Sequence, residues 1–270
     1  MFVRCIDIIN IMEEYAKPLY AENWDNIGLL VGDEGSIIKK ILVALDINDE
    51  VIEEAIQNNC DMIITHHPFI FKGLKCIKNS DILGKRIIKL IKNNISVYSA
   101  HTNLDIAKNG TNDTFAELLG LQNIDNLFPS KIAGEEFGLG RTGYLSEKIK
   151  FSEFIEKVKN SIGIDKLIVC GDLNQPVKKI GICTGSGGEL EFISQAIKLK
   201  CDVYITGDLK YHNSQFGKDL GICLIDATHY ASEVIIVPII CDYINKCAKR
   251  LNMDIECIAS RVDGQTLKII

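Results

Sequence analysis

The chain lacks what several large classes of protein depend on. It has no excess of positive charge: 36 Asp and Glu against 30 Lys and Arg leave a formal net charge of −6. Gripping nucleic acid requires a basic face, so nucleic acid is not expected as a partner. It also has no long apolar run. The segment VIIVPII (234–240) is too short to span a bilayer and contains Pro238. The opening MFVRCIDIINIMEEYAKPLY is broken by Asp7, Glu13 and Glu14 and reads as an amphipathic helix, not a leader. Ten cysteines are present, but no two form a C-x-x-C pair. A zinc–thiolate site wants closer spacing. Cysteines in apolar stretches such as IGICTG and GICLID read as reduced, buried thiols. The expectation is a cytoplasmic protein with no membrane partner.

Histidine is scarce as well, with five in 270 residues, yet two stand side by side in DMIITHHPFIF (61–71). The remaining composition, 47% hydrophobic and 24% charged, is that of an ordinary globular chain. Its length suits one large α/β domain or two small ones. Short apolar runs predict strands at 40–46, 61–65, 95–100, 166–171, 179–185, 202–206 and 221–227. Amphipathic patterns predict helices at 49–59, 81–94 and 151–163. Such alternation points to a layered α/β fold.

The chain also echoes itself. KKILVALDINDEVIEEAIQNNCDMIITHH (39–67) parallels KKIGICTGSGGELEFISQAIKLKCDVYITGD (178–208). Ala55, Cys60, Asp61 and Thr65 fall opposite Ala196, Cys201, Asp202 and Thr206. Each copy is followed by a further strand ending at a histidine, VYSAH and LIDATH. This predicts two similar α/β domains from an internal duplication, in a layered sandwich with a site between them. The expected halves are 1–125, holding His66, His67, His101 and Asp105, and 126–270, holding Asp208, His212, His229 and Glu233. The glycine-rich stretch 126–150 reads as the join, and the C-terminal segment is free to pack back on the first half.

All five histidines follow the C-terminal ends of predicted strands, the edge where α/β sheets bind ligands. His66 and His67, in a turn closed by Pro68, can both bend toward one region. HTNLD sets Asp105 four residues after His101, and HYASE sets Glu233 four after His229. At that spacing two side chains share one helix face. A lone H-x-x-x-E is commonly two exposed helix residues, but here the pattern recurs at the ends of paired strands. Four imidazoles and two carboxylates exceed the roughly three protein ligands of a single catalytic metal. They suit two metals bridged by a carboxylate and a water. With no thiolate in these segments, Zn, Mn, Fe, Co or Ni is acceptable.

Several motifs resemble those of the family of GTP cyclohydrolase 1 type 2 homologues, also called NIF-three-like proteins. They are AENWDNIGLLVG (21–32), ITHHPFIF (64–71), SAHTNLD (99–105), GLGRTGYL (138–145), GSGGE (185–189), ITGDLKYH (205–212) and DATHYASE (226–233). The resemblance implies a two-domain α/β fold, a dinuclear metal centre and a ring-shaped homohexamer. It implies that His67 and Asp105 hold one metal, His66 and His229 the other, and that Glu233 bridges them. His101 would sit beside the pair as a weaker ligand or an acid/base group. One departure is Thr228, where the family more often has glycine; it changes a backbone preference, not a ligand.

Such a centre would serve a hydrolase acting on a nucleotide, with Glu233 at the bridge and His101 or His212 moving protons. TGSGGE (184–189) reads either as a tight turn or as a phosphate cradle built from the N–H groups around Gly187 and Gly188. Asp25 and Asn26 read equally as site residues or helix caps. Asp208 and His212 are substrate-side candidates. The other class of function is a non-catalytic metal-binding scaffold, since a family resemblance is weaker warrant than a site.

Overall fold

A computed structural model describes residues 2–130 and 134–268. The elements run α1 (Cys5–Tyr15), β1 (Gly28–Val31), β2 (Lys40–Ala44), α2 (Asp49–Gln57), β3 (Met62–Thr65), α3 (Ile82–Lys92), β4 (Ser96–Ser99), α4 (Thr102–Ile106) and α5 (Thr111–Leu118). They continue β5 (Gln122–Ser130), β6 (Gly134–Lys150), α6 (Phe151–Ile162), β7 (Ile168–Cys170), β8 (Pro176–Ile182), α7 (Leu190–Lys198), β9 (Val203–Thr206), α8 (Tyr211–Asp219) and β10 (Cys223–Asp226). Last come α9 (His229–Glu233), α10 (Ile236–Leu251) and β11 (Glu256–Ala259). Among the described residues no helix is long and apolar enough to cross a membrane.

The chain forms two compact α/β units. The first is Met1–Leu104 with Ile236–Gly264, the second Asp105–Ile235 with Gln265–Ile270. In the first, a five-stranded sheet runs β1-β4-β3-β2-β11, parallel apart from β1. Strands β2, β3 and β4 are buried along nearly their whole length, which is why they read as short apolar runs. Leu42, Ile63 and Val97 pack against Ile52, Ala55, Ile87 and Leu90 on one face of α2 and α3. Each such Val, Leu or Ile side chain contributes about 1.5–3 kcal/mol by leaving water. Asn48 and Asp81 start these helices, their side chains accepting hydrogen bonds from Val51 N at 2.8 Å and Gly84 N at 2.6 Å.

In the second unit a six-stranded sheet runs β5-β6-β8-β9-β10-β7. Strands β8, β9 and β10 are parallel; β5, β6 and β7 are antiparallel to their neighbours. Val177, Ile180, Val203 and Ile225 pack with Phe151, Phe154 and Val158 of α6.

The duplication is visible atom by atom. Asp61 Oδ2 accepts hydrogen bonds from the backbone N–H groups of Lys39 and Lys40, at 2.7 and 3.0 Å. Asp202 Oδ2 accepts the same pair from Lys178 and Lys179, both at 2.8 Å. Asn59 and Lys200, one residue before the paired cysteines, both turn through a left-handed conformation, with φ of 54° and 58°. Thus β2–α2–β3–α3–β4 and β8–α7–β9–α8–β10 are two copies of one supersecondary unit.

The stretch 126–150 is not a join. It supplies most of β5 and β6, which lie within the second sheet; residues 131–133 lie outside the described residues. Its glycines serve close strand packing: a Cβ at Gly138 would fall 2.2 Å from Phe128 O. Arg141, buried in β6, pairs with Asp113 of α5 and donates to Gly138 O and Gly140 O at 2.6 and 2.9 Å. The apolar segment 234–240 runs into α10, with Pro238 in the first turn, where a missing N–H costs nothing.

Candidate metal centre

In the first unit, β3 and β4 end side by side, in register from Met62↔Ser96 to Thr65↔Ser99. His66 and His67 follow the first, His101 the second. Each ring offers a nitrogen, and these three nitrogens lie within 4.8 Å of one another. The rings are held by their other nitrogens. His66 Nδ1 donates to Ala100 O at 3.0 Å, His67 Nδ1 to Asp46 Oδ1 at 2.8 Å, and His101 Nδ1 to Asp25 Oδ1 at 2.9 Å. An oxygen acceptor at Nδ1 fixes the proton there and leaves Nε2 as the donor atom.

Asp25 settles the alternatives left open by its sequence, because it does both jobs. Its second oxygen accepts from Thr102 N at 3.0 Å and Thr102 Oγ1 at 2.5 Å, which caps the start of α4. Burial alone would raise its pKa, but the hydrogen bonds from His101 and Thr102 outweigh that and hold it at about 2. It is therefore an anion at any working pH.

In the second unit, His229 begins α9 and Glu233 ends it. The i, i+4 spacing brings His229 Nε2 within 3.1 Å of Glu233 Oε2, near enough for one ion to take a donor from each. His229 Nδ1 donates to Asp208 Oδ2 at 2.7 Å. So Asp208, expected on the substrate side, holds the His229 ring. Glu233 is only 3% exposed and Asp105 8%. Asp105 accepts a hydrogen bond from the Thr111 hydroxyl. The thiol of buried Cys183 is pushed up by desolvation first, then by the charges of Asp105 and Glu233. Both carboxylates therefore act on one buried point. Carboxylates this deep need positive charge nearby, and a divalent cation would supply it.

The glycine-rich turn after β8 makes room for this arrangement. Gly185 has φ +66°, and a Cβ there would stand 2.0 Å from Glu233 Oε1 and 3.4 Å from His229 Nε2. Its N–H donates to Ser232 Oγ at 3.0 Å. Gly187 and Gly188 are buried: a Cβ on the first would meet Tyr204 OH at 2.7 Å, on the second Asp208 O at 2.5 Å. Close packing accounts for both. His212 is exposed on α8, against the Tyr211 ring, and joins no donor cluster among the described residues.

Sequence reasoning missed Asp46, the Ala100 carbonyl and Gly185. Asp46 carried a signal, since it closes the run KILVALD at the ligand-binding edge. The need for Gly185 arises only once Glu233 is in place.

The donor set fits divalent metal: imidazoles each held at Nδ1 by an oxygen, buried carboxylates and no thiolate. Known proteins resemble the chain in sequence and fold. Residues 3–265 match the sequence model of Duf34/NIF3 (NGG1p interacting factor 3). A Clostridium perfringens protein named GTP cyclohydrolase 1 type 2 homolog is 42% identical over 255 residues, covering 94% of this chain and 95% of its own. The structure of a Bacillus cereus protein related to NIF3 superposes with a TM-score of 0.94 at 26% identity, covering 100% of both chains. That of reduced HcgD from Methanocaldococcus jannaschii gives a TM-score of 0.79 at 34% identity, covering 97% of this chain and 99% of its own.

Proposed function

Because the chain belongs to the Duf34/NIF3 family, we propose that it is a dinuclear metal-dependent hydrolase acting on a nucleotide, of the type named in its relatives. One observation carries this reading. All four histidines that close the strands of the two copies donate Nδ1–H to an oxygen, so each presents Nε2 with its lone pair, for a metal or for a proton. Structural histidines have no need of such uniform orientation; metal-ligating ones do.

In this proposal His66, His67 and His229 would supply nitrogen, and Asp105 and Glu233 oxygen, to the two ions. Ions bound there supply Lewis-acid activation of water at neutral pH. His101, backed by the Asp25 anion, accepts a proton at Nε2 and returns it to the leaving group. His212 is the remaining substrate-side candidate. The ring-shaped homohexamer and the cytoplasmic setting belong to the same proposal. The motif resemblance supports the first and the ten free cysteines support the second.

The test is elemental analysis of wild type and Glu233→Ala, with GTP turnover assayed on the same samples. Two metals per chain, lost together with turnover in the variant, is the expected result. Two metals without turnover on GTP or other nucleotides would leave a metal-binding scaffold. Absence of metal after reloading would sink the site itself.

A further inference from the structure

Two aromatic side chains stand at the surface of the first unit, beside the imidazoles. Trp24, the single tryptophan, is 59% exposed, and Phe71 is 48% exposed. Their rings lie 6.0 Å apart at 54°. The indole meets the His101 ring edge-on at 6.1 Å. The His101 ring in turn lies 5.2 Å from His66 and 5.7 Å from His67. The apolar surface thus begins where the nitrogen cluster ends.

The backbone beneath these rings is tied down. Glu22 N donates to Thr102 Oγ1 at 3.0 Å, and Asn26 Nδ2 donates to Ile70 O at 2.5 Å, one residue before Phe71. Asp25, next to Trp24, is locked onto His101 and Thr102. A rigid loop is therefore spent on holding a large indole out in water, where it forfeits the gain of burial. A covering ligand restores that gain.

We propose that Trp24 and Phe71 form a stacking surface for the planar heteroaromatic ring of the substrate, with the polar end of the substrate reaching the imidazole cluster. The inference rests on the metal-site reading above and names the part of the substrate that reading leaves undefined. At 6.0 Å and 54° the two rings touch each other, so the ligand ring lies across them and not between them. Stacking accepts any base, because every base has a π-face. It therefore selects a ring-bearing substrate over a sugar phosphate, not one base over another.

The full-length protein, loaded with redox-inert zinc, reports on this directly, since its indole fluorescence arises from Trp24 alone. Guanosine 5′-monophosphate is expected to quench it saturably, and ribose 5-phosphate is not. In equilibrium dialysis, Trp24→Leu should weaken the monophosphate roughly ten-fold or more, the size of a lost base–aromatic stack. Trp24→Phe should stay close to wild type, and zinc content should be unchanged in both.

An unaltered Kd in Trp24→Leu with zinc retained would overturn the proposal. So would ribose 5-phosphate binding as tightly as the nucleotide, or no nucleotide binding at all. A blue-shifted emission that ignores nucleotide, with self-assembly lost in Trp24→Leu, would assign the surface to contact between copies instead. The two readings fail separately. Stacking without turnover would sink the hydrolase and keep the surface. Turnover indifferent to Trp24 would do the reverse.

Discussion

In the two copies of the strand–helix–strand unit, the backbone agrees and the strand ends differ. After the first strand comes Asp46 in one copy and Gly185 in the other. After the second come His66 and His67 in one, Gly207 and Asp208 in the other. After the third come His101 in one, Thr228 and His229 in the other. The carboxylate–histidine pair has moved over by one strand: Asp46 orients His67, whereas Asp208, which occupies the place of His67, orients His229. Gly185 stands in the place of Asp46, and the space it vacates admits Glu233. A shared scaffold thus carries complementary chemistry because its strand-end positions are not needed for packing.

The sharpest way to break this comparison is to refill that space. Gly185→Ala puts a methyl group on the Glu233 carboxylate, at a left-handed φ. We expect it to remove the metal that depends on Glu233 and His229, seen as a fall of at least half in bound metal by mass spectrometry. Asp46→Asn and Asp208→Asn should act alike, each weakening metal roughly 10- to 100-fold in competition with a chelator, as loss of an orienting carboxylate does. A large effect from one and none from the other would mean that only one copy bears metal. Next come the two aspartates that tie the strands: Asp61→Ala and Asp202→Ala each remove an acceptor for two backbone N–H groups. Each should cost about 1–2 kcal/mol in urea unfolding, and unequal costs would show that the repeats no longer bear equal load.

The smallest effect is expected at Thr228. With φ 62° and ψ 152° it holds a conformation that suits glycine, while its hydroxyl caps α9 through Ala231 N at 3.2 Å. Relief of strain is worth about 1–3 kcal/mol. The lost cap and the freer unfolded chain return part of it. Thr228→Gly should therefore stabilise the protein by about 1 kcal/mol, measurable as a shifted denaturation midpoint.

The strands of the repeat were legible because burial on both faces writes them as short apolar runs between turn residues. The histidines were legible for a related reason: they follow those runs directly. Strands β1, β5, β6 and β11 were not. β11 is only ECIA, and β5 is largely exposed, so neither shows a period. In β6, glycines demanded by close strand approach imitate the composition of a loop. The candidate ligands stand out by their spacing, but their supports do not. An aspartate at a strand end looks the same in sequence whether it caps a helix or holds an imidazole. The turn TGSGG reads either as a tight turn or as a phosphate cradle until the volume of the Glu233 carboxylate is known.

The discontinuity of the first unit has a consequence for biosynthesis. Its sheet is closed by β11, which pairs with β2 from Glu256↔Lys40 to Ala259↔Val43, after all of the second unit but its C-terminal segment has been made. Roughly two hundred residues separate the partners, about 10–40 s of translation at ordinary elongation rates. Through that interval the buried strand β2 has an unpaired edge, a template for joining a neighbouring nascent chain. The half of the protein that emerges first from the ribosome is the half that matures last.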